Sequence, residues 1–587
     1  MRKRMRRVCA LLMAASMVLS AAGCGSTGGG QSTQEEGSAQ QSADAGESES
    51  GNTGSDELVT ITLYPEAGNI SSGVIGGWKG EYFASLGFQV EVWAYSDEKT
   101  NAILASGDLP DIMYVSPDNL DTMIEAGMLL NLDDYLGDMP HLQESEALDV
   151  ALNYVREYKS AGTGSIYGLP LSVGKQASRE AVVDSTDRRA VKLKWDVYEQ
   201  IGAPEINDYW ELIDVMGQMV EACPADEDGT PYYGTILNNG SDTEYWACMT
   251  LWYLWQGYNE KHLPYMLEMD MVHNTATSIL TRDSMYYEGL RWYNEVYRRG
   301  LMDPDSINND RPTQKAKVDA GYAMVPSGYL PGWAPEYYEY YIPDTNVYMS
   351  YDNPYGGANL IGINAETENL DACLAFLDML ADPVAKLIMD SGPEGDYWEL
   401  DDENNAMLTD KAINYLTEVK QGLGDGYFLE SGEQLELWNT PFVINTGEEL
   451  PYTDGQGNNR IISTTQWAEA NEISTSDDSF KQWQETTGYD SWKDWLNAND
   501  AFYEDGTYTG IDPLCSVPDD TMQLTVDALR DTVVTASWQM VYAESEEEFE
   551  AIWDQMVADC EGLGAQEVID WRLADIENAV AIKESLQ

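Results

Sequence analysis

The sequence predicts an α/β fold that starts on an open parallel sheet, and three observations predict it. Val59, Ile61 and Leu63 alternate with Thr60 and Thr62, and Phe88, Val90 and Val92 repeat the alternation, the signature of strands. Helical stretches at 78–86, interrupted by glycine, and 98–106 follow them in turn. The apolar run Ile112-Met113-Tyr114-Val115 then reads as a third, buried strand, completing β-α-β-α-β. At 587 residues the chain is too long for one core, so two or more domains are expected.

The turn before that third strand is Ala105-Ser106-Gly107-Asp108-Leu109-Pro110-Asp111-Ile112. Gly107 can adopt φ > 0 and cap a helix, and Pro110 prevents the helix from resuming. The strand delivers Tyr114, Ser116 and Asp118 to its C-terminal end, where ligands bind in open α/β sheets. An ordinary αβ loop accounts for the same residues, and both readings stand at this point.

The first 23 residues are expected to be a leader. Arg2, Lys3, Arg4, Arg6 and Arg7 precede an apolar run, Leu11 to Leu19, too short to span a membrane. Ser20-Ala21-Ala22-Gly23-Cys24 resembles a bacterial lipobox, with Ala21 where leucine is usual. Cleavage before Cys24 would leave it as the acylated first residue; a plain secretory signal with an incidental cysteine is the other reading. Residues 24–56 are Gly, Ser, Gln, Thr and Glu with almost no apolar side chain, an acidic tether spanning roughly 30 Å as a coil.

The formal charge is −70, and loss of the five basic leader residues makes it more negative still. That excludes nucleic acid and adsorption to an anionic bilayer, and it disfavours polyanionic ligands. Tyr (37) and Trp (18) outnumber Phe (8), a preference for aromatics with a polar handle, as at wet clefts. Cys223, Cys248, Cys373, Cys515 and Cys560 are scattered without C-x-x-C spacing, so buried thiols are expected and no zinc site is indicated; one disulfide remains open.

Further along, Ile166 to Pro170 reads as a strand leaving the first lobe, and Asp196 to Gly202 as a helix. Asp208 reads as the N-cap of a helix with Leu212, Ile213, Met216, Met219 and Val220 on one face. Asp226-Glu227-Asp228-Gly229 reads as a hairpin turn without EF-hand ligand spacing. Tyr286, Leu290, Tyr293 and Tyr297 form a helical stripe that stops at Gly300. Leu360 to Ile363 is a strand, and the helix of Leu370, Cys373, Leu374, Leu377 and Leu380 ends at Asp382-Pro383. Phe549, Ile552, Trp553 and Met556 read as the last amphipathic helix.

Taken together, the stretch 105–112, Tyr167-Gly168-Leu169-Pro170, Lys194-Trp195-Asp196, Gly300-Leu301-Met302-Asp303-Pro304-Asp305, Gly392 to Trp398 and the 549–556 helix resemble the extracellular solute-binding proteins, family 1, of bacterial ABC importers. The nearer match is the long lipoprotein subgroup of oligosaccharide type, over the whole region from Leu58 onward. Lys194 departs from an expected arginine, which keeps the charge without the bidentate fork. The resemblance implies a two-lobe periplasmic-binding-protein-like α/β fold with hinge crossings and a ligand cleft between the lobes. The implied boundaries are 57–172 with 355–394 for the N-terminal lobe, and 173–354 with 395–587 for the C-terminal lobe. It also implies a neutral oligosaccharide as ligand, ABC permease subunits with a separate ATPase as partners, and a monomer anchored on the outer face of the cytoplasmic membrane, most simply in a Gram-positive cell.

A sugar cleft needs flat aromatic faces and planar polar groups. The candidate aromatics lie in loops: Trp78 after Gly76-Gly77; Trp246, Trp252 and Trp255 after the 238–242 loop; Tyr329 and Trp333 around Pro331-Gly332; and Trp398. Glu66, Asn69, Tyr114, Ser116 and Asp118 complete the ligand-binding set at strand ends. For each tryptophan a place in the core is the competing reading, and for each polar residue a solvated loop or cap. No catalytic residue, cofactor or metal is expected: His141, His262 and His273 lack ligand spacing, and no G-x-S-x-G elbow or P-loop is present. With 102 acids, a secreted glycoside-acting enzyme with a carboxylate pair is a further, less favoured reading. A peptide or polyamine binder on the same scaffold is the alternative.

Overall fold

The computed structural model describes residues 58–586 except 66–69, 145, 176–190, 240–246, 327–336, 341, 344, 349–351, 421–425, 437–440, 475–477 and 504–505. The chain opens with β1 (Val59–Tyr64), β2 (Gly73–Val74), α1 (Gly77–Ser85), β3 (Phe88–Val92), α2 (Asp97–Ser106), β4 (Ile112–Val115) and α3 (Pro117–Glu125). Local chemistry sets these boundaries. Ser96 Oγ accepts the Lys99 N–H and caps α2, while Gly107, at φ 74°, ends it with its own N–H on the Ile103 carbonyl. After α4 (Glu146–Tyr158), β5 (Leu169–Pro170) and β6 (Gly174–Lys175), the chain passes to a second lobe.

There it forms β7 (Val191–Lys194), α5 (Tyr209–Ala222), α6 (Ala247–Gln256), α7 (Met285–Arg298) and β8 (Tyr337–Tyr340). Asp208 caps α5 by accepting the N–H groups of Trp210 and Glu211. The 226–229 turn closes on Asp226, whose backbone N–H donates to Thr230 O. The chain returns through β9 (Asp352–Asn353) to β10 (Leu360–Ile363) and α8 (Leu370–Met379). A further helix, α9 (Pro383–Ser391), follows directly: α8 ends at the Leu380 C-cap, and Asp382 caps α9 through the Val384 N–H. Three long helices close the chain: α10 (Asp520–Val541), α11 (Glu546–Leu563) and α12 (Ala565–Leu586).

The first lobe holds a six-stranded sheet in the order β2-β3-β1-β4-β10-β5. β1 pairs in parallel with β3 and β4. β10 is antiparallel to β4, with Leu360 opposite Val115, and β5 is antiparallel to β10, with Pro170 opposite Leu360. The outgoing β5 and the returning β10 therefore cross at one edge, the C-terminal edge of β4. Two large hydrophobic cores result, one on this sheet and one in the second lobe.

The cores correct the boundaries implied by the resemblance. Trp398, Leu408, Leu416, Tyr427, Phe442, Val443, Ile444 and Trp467 all lie in the first core, and the chain reaches the second core only at Trp483. Gly392, expected to begin a crossing, is the C-cap of α9 at φ 83°. The chain beyond it folds back: Val443 N–H donates to Leu380 O, and the Ser391 and Thr464 hydroxyls bond at 3.0 Å. The 549–556 helix is likewise not the last, since α12 follows the Gly564 cap. Cys223, Cys373, Cys515 and Cys560 are free thiols; the Cys248 side chain lies outside the described residues.

The second lobe is stitched by a buried charge network. Arg572 Nε donates to His262 Nδ1 at 3.0 Å, and His262 Nε2 lies 3.2 Å from Asp512. Lys261 pairs with Asp512 at 2.6 Å and Arg572 with Asp575 at 2.8 Å. Burial favours the neutral His262 and pushes its pKa down. Burial alone would raise Asp512, but the His262 and Lys261 contacts overcome it and hold the carboxyl at about 2. Both groups therefore favour the folded state at neutral pH: His262 loses its contribution as the pH falls below 6.5, and Asp512 as it falls from 3.8 towards 2. Glu268, raised by burial to about 7, has the opposite sign and costs stability as the pH rises from 4.5 through 7. Asp512→Asn is expected to lower unfolding free energy by about 1–3 kcal/mol at pH 7, read by urea denaturation, with the deficit shrinking towards pH 2. An equal deficit at both ends would assign the loss to packing.

Candidate ligand cleft

Three segments converge where the first sheet meets the second lobe. The stretch after β5 carries Ser172, whose N–H donates to Phe442 O and whose carbonyl accepts the Asn353 amide at 2.7 Å. Val173 pairs in parallel with Ile444, and β6 pairs with β9. Gly356 sits so close that a Cβ there would lie 2.9 Å from Leu171 O. Tyr154, on α4, reaches across: its hydroxyl donates to Pro513 O at 2.6 Å, and its ring lies 5.3 Å from Tyr355. The C-terminal edge of the sheet thus borders the hinge.

An aromatic platform stands on that edge. Trp93 and Tyr95 directly follow the last core residue of β3, Val92. Tyr64, at the end of β1, is buried and fixed by its hydroxyl on Ser96 O and Thr100 Oγ1. Tyr95 packs 5.6 Å from Tyr64, and the Lys99 ammonium lies 4.7 Å over the Trp93 ring. Trp93 is half-buried and Tyr95 is 36% exposed, so both offer surface to a ligand. Sequence reasoning passed over this pair because it sought tryptophans in glycine-rich loops. The available signal was an aromatic between a strand's last core residue and the next helix cap.

The expected site residues divide sharply. Tyr114, Ser116 and Asp118 do lie at the end of β4, but Tyr114 is buried with its hydroxyl on Pro441 O, where it positions the 442–445 segment. Ser116 accepts the Asn119 amide, and Asp118 is exposed in the first turn of α3. Trp78 is 8% exposed and packs in the first core; its N–H, at the start of α1, meets Glu433. Trp252 and Trp255 are corrected to core residues. They sit three apart on one face of α6, within 6.4 Å of each other and near Trp292 and Tyr209, and Trp252 Nε1 donates to Met285 O. Trp398 is also core, with its indole N–H on Gly392 O at 2.9 Å. Glu66, Asn69, Trp246, Tyr329, Trp333 and Cys24 lie outside the described residues.

The two stretches leading to Trp246 and Trp333 are described up to their departure. Tyr233 pairs in parallel with Ala323, and Thr235 with Met302. Asn239 and Pro326 therefore leave these strands in the same direction. Gln314 anchors the first stretch, accepting the Asn238 amide and donating to Ile236 O. Asp303, from the Gly300–Asp305 motif, is buried against Lys317 at 2.7 Å and serves as scaffold. Among the described residues, no cluster of three His, Cys, Asp or Glu side chains could hold a metal ion, and no helix is long and apolar enough to cross a membrane.

Trp398→Ala is expected to lower stability by about 3–5 kcal/mol, because it empties a core site. Trp93→Ala is expected to leave the melting temperature within a degree or two while removing ligand surface. Thermal unfolding of the two variants side by side checks the assignment, and equal losses would refute the division into core and platform.

No family model matches the sequence, and no curated protein matches it. Solved structures do. An HMO-binding, ABC-transporter-associated solute-binding protein from Bifidobacterium longum infantis superposes with a TM-score of 0.58 at 14% identity, covering 90% of this chain and 99% of its own. The Streptococcus pneumoniae ABC-transporter substrate-binding protein FusA, in complex with kestose, gives 0.58 at 15% identity, covering 90% and 100%. An extracellular solute-binding protein from Bifidobacterium longum subsp. infantis gives 0.55 at 14% identity, covering 90% and 100%. The fold of this chain, over nearly its whole described length, is the two-lobe α/β fold of ABC-transporter solute-binding proteins.

Proposed function

We propose that this protein is the substrate-binding component of an ABC importer. It captures a neutral oligosaccharide between its lobes and passes it, chemically unchanged, to permease subunits driven by a separate ATPase. The observation that carries the reading is the meeting of hinge and sheet edge. The C-terminal ends of β1, β3 and β4 lie along one edge of the sheet, with the Trp93–Tyr95 platform after β3, and the end of β4 adjoins β10 and, through it, β5, the segments about which the lobes turn. One of the similar proteins is HMO-binding and another is in complex with kestose, which supports a sugar ligand. The scarcity of Lys and Arg, 32 against 102 acids, supports a neutral one.

Trp93 and Tyr95 would stack on pyranose faces from the first lobe, with Tyr329 and Trp333 contributing from the second. A stacking aromatic desolvated in a closed cleft is worth about 1–3 kcal/mol. Trp93→Ala and Trp333→Ala are each expected to weaken binding roughly 5- to 150-fold in calorimetry against neutral glycans, peptides and polyamines. Tight binding of a peptide or polyamine, with every glycan silent, would replace the sugar reading. Reducing ends released on long incubation would make the protein an enzyme.

The basic leader, Cys24 and the acidic tether support a lipid anchor on the outer face of the cytoplasmic membrane, with the folded region acting as a monomer above it. Cys24→Ala is expected to move the protein from the membrane fraction into the medium. Retention in the membrane fraction would rule the anchor out.

A further inference from the structure

The aromatic platform carries charged companions from the helix that follows it. The Lys99 ammonium lies 4.7 Å from the centre of the Trp93 ring and 6.0 Å from that of Tyr64, so one cation stands over two rings at the C-terminal edge of the sheet. Tyr95 packs 5.6 Å from Tyr64 and donates its hydroxyl to Asp97 at 3.0 Å. Asp97 and Glu98, both exposed, share the first turn of α2 with Lys99. Aromatic faces flanked by carboxylates are the components of a site for an organic cation.

Lys99 runs against its local setting. It is the third residue of α2, where the helix dipole favours acids over bases. In a chain of 102 acidic and 32 basic residues, it forms no ion pair among the described residues, and its charge is met by the rings instead. The position is fixed from both ends. The Lys99 N–H is held by Ser96 Oγ at 3.1 Å, and the Tyr64 hydroxyl is held at Ser96 O and Thr100 Oγ1, so the helix start and the ring beneath the ammonium are tied together. The chain thus places its own cation where the platform would receive one from outside.

We propose that Lys99 is a specificity-determining residue that keeps external cations off the platform. A protein this acidic gathers cations around it, and organic ammonium ions would otherwise compete with the solute for Trp93 and Tyr95. Lys99 occupies that place from within the chain, while Asp97 and Glu98 repel anions, so the edge is left to uncharged solutes. The proposal rests on the solute-binding reading for the claim that a solute reaches the platform; the exclusion of cations does not depend on that solute being a sugar.

The test is calorimetry of the full chain with spermidine in about 0.15 M salt, where long-range attraction is screened. Lys99→Ala is expected to bind spermidine about 2- to 30-fold more tightly than the wild type. Lys99→Arg, which keeps a cation over the rings, is expected to match the wild type. So is Lys315→Ala, which removes the same charge from an exposed position of the second lobe. Adding Trp93→Ala to Lys99→Ala is expected to abolish the gain. No gain in Lys99→Ala would overturn the proposal. An equal gain in Lys315→Ala would overturn it by assigning the effect to net charge, and a gain that survives the loss of Trp93 would place the cation elsewhere. If kestose or an HMO mixture binds the wild type, its affinity is expected to stay within about threefold in Lys99→Ala. A larger loss would make Lys99 a contact to the solute and overturn its role as an excluder. Silence of both glycans in every variant would refute the sugar reading and leave the spermidine result standing.

Discussion

The Asp111 carboxylate holds together the part of the structure from which everything else is hung. One oxygen accepts the Thr62 N–H and the Thr62 hydroxyl, each at 2.8 Å, and the other accepts the Thr367 hydroxyl at 2.6 Å. Its own N–H returns to Thr62 Oγ1, and its carbonyl accepts the Asn364 N–H. Segments 49 and 256 residues away in sequence are thus fixed to one side chain. This clamp sits at the N-terminal edge of the sheet and locks the foot of β10 against β4. Because β10 is antiparallel, fixing its foot fixes its head at Val115, where the chain comes back from the second lobe. The placement of the returning strand is therefore set from the N-terminal edge of the sheet.

The excess of Tyr and Trp over Phe has its explanation in the cores. In the second lobe, the Tyr209 hydroxyl lies within 2.9 Å of Trp255 O and Thr345, Tyr253 donates to Glu268, Tyr286 meets Ser537, and Trp292 donates to Tyr209 O. These rings bury apolar area while their polar tips satisfy backbone and helix-end groups deep in the protein. The Glu268 carboxylate shows the same economy, accepting the Met285 and Tyr286 N–H groups at the start of α7. Composition alone reads such residues as cleft aromatics. The structure uses many of them as scaffold, and leaves Trp93 half-buried and Tyr95 exposed at the sheet edge.

The scaffold was legible in the sequence to the extent that it is periodic. β1, β3, β4 and β10 were visible by alternation or apolar runs, and α2, α5 and α7 by stripes with Ser, Asp or Gly at their ends. What was lost is what periodicity does not encode. Asp382 followed by Pro383 looks like a stop, yet Asp-Pro is as good a start, and α9 was missed for that reason. Gly392 looked like a crossing because a C-cap and a linker share their glycine. Trp252 and Trp255 looked like loop residues because the helix carrying them begins only at Ala247, just after a glycine- and asparagine-rich stretch. The place of Tyr114, Ser116 and Asp118 at the end of β4 was legible, but which side chains there remain available depends on partners hundreds of residues distant, as Tyr114 with Pro441 illustrates.

That same distance shapes the mechanics. A two-lobe protein joined by plain linkers would bend at them freely. Here the first lobe continues past β10 for about a hundred residues and sends the 442–445 segment back alongside residues 172–173, while β9 flanks β6 on another side. Ser172 N–H, Val173 N–H and Asn445 N–H are all spent in that ladder, and the Asn353 amide adds a tie to β9. Motion between the lobes must bend the paired β6 and β9 together, while the ladder of 172–173 with 442–445 stays within the first core. A hinge of this kind resists gradual opening and favours discrete registers, because a ladder is satisfied only where its donors meet acceptors.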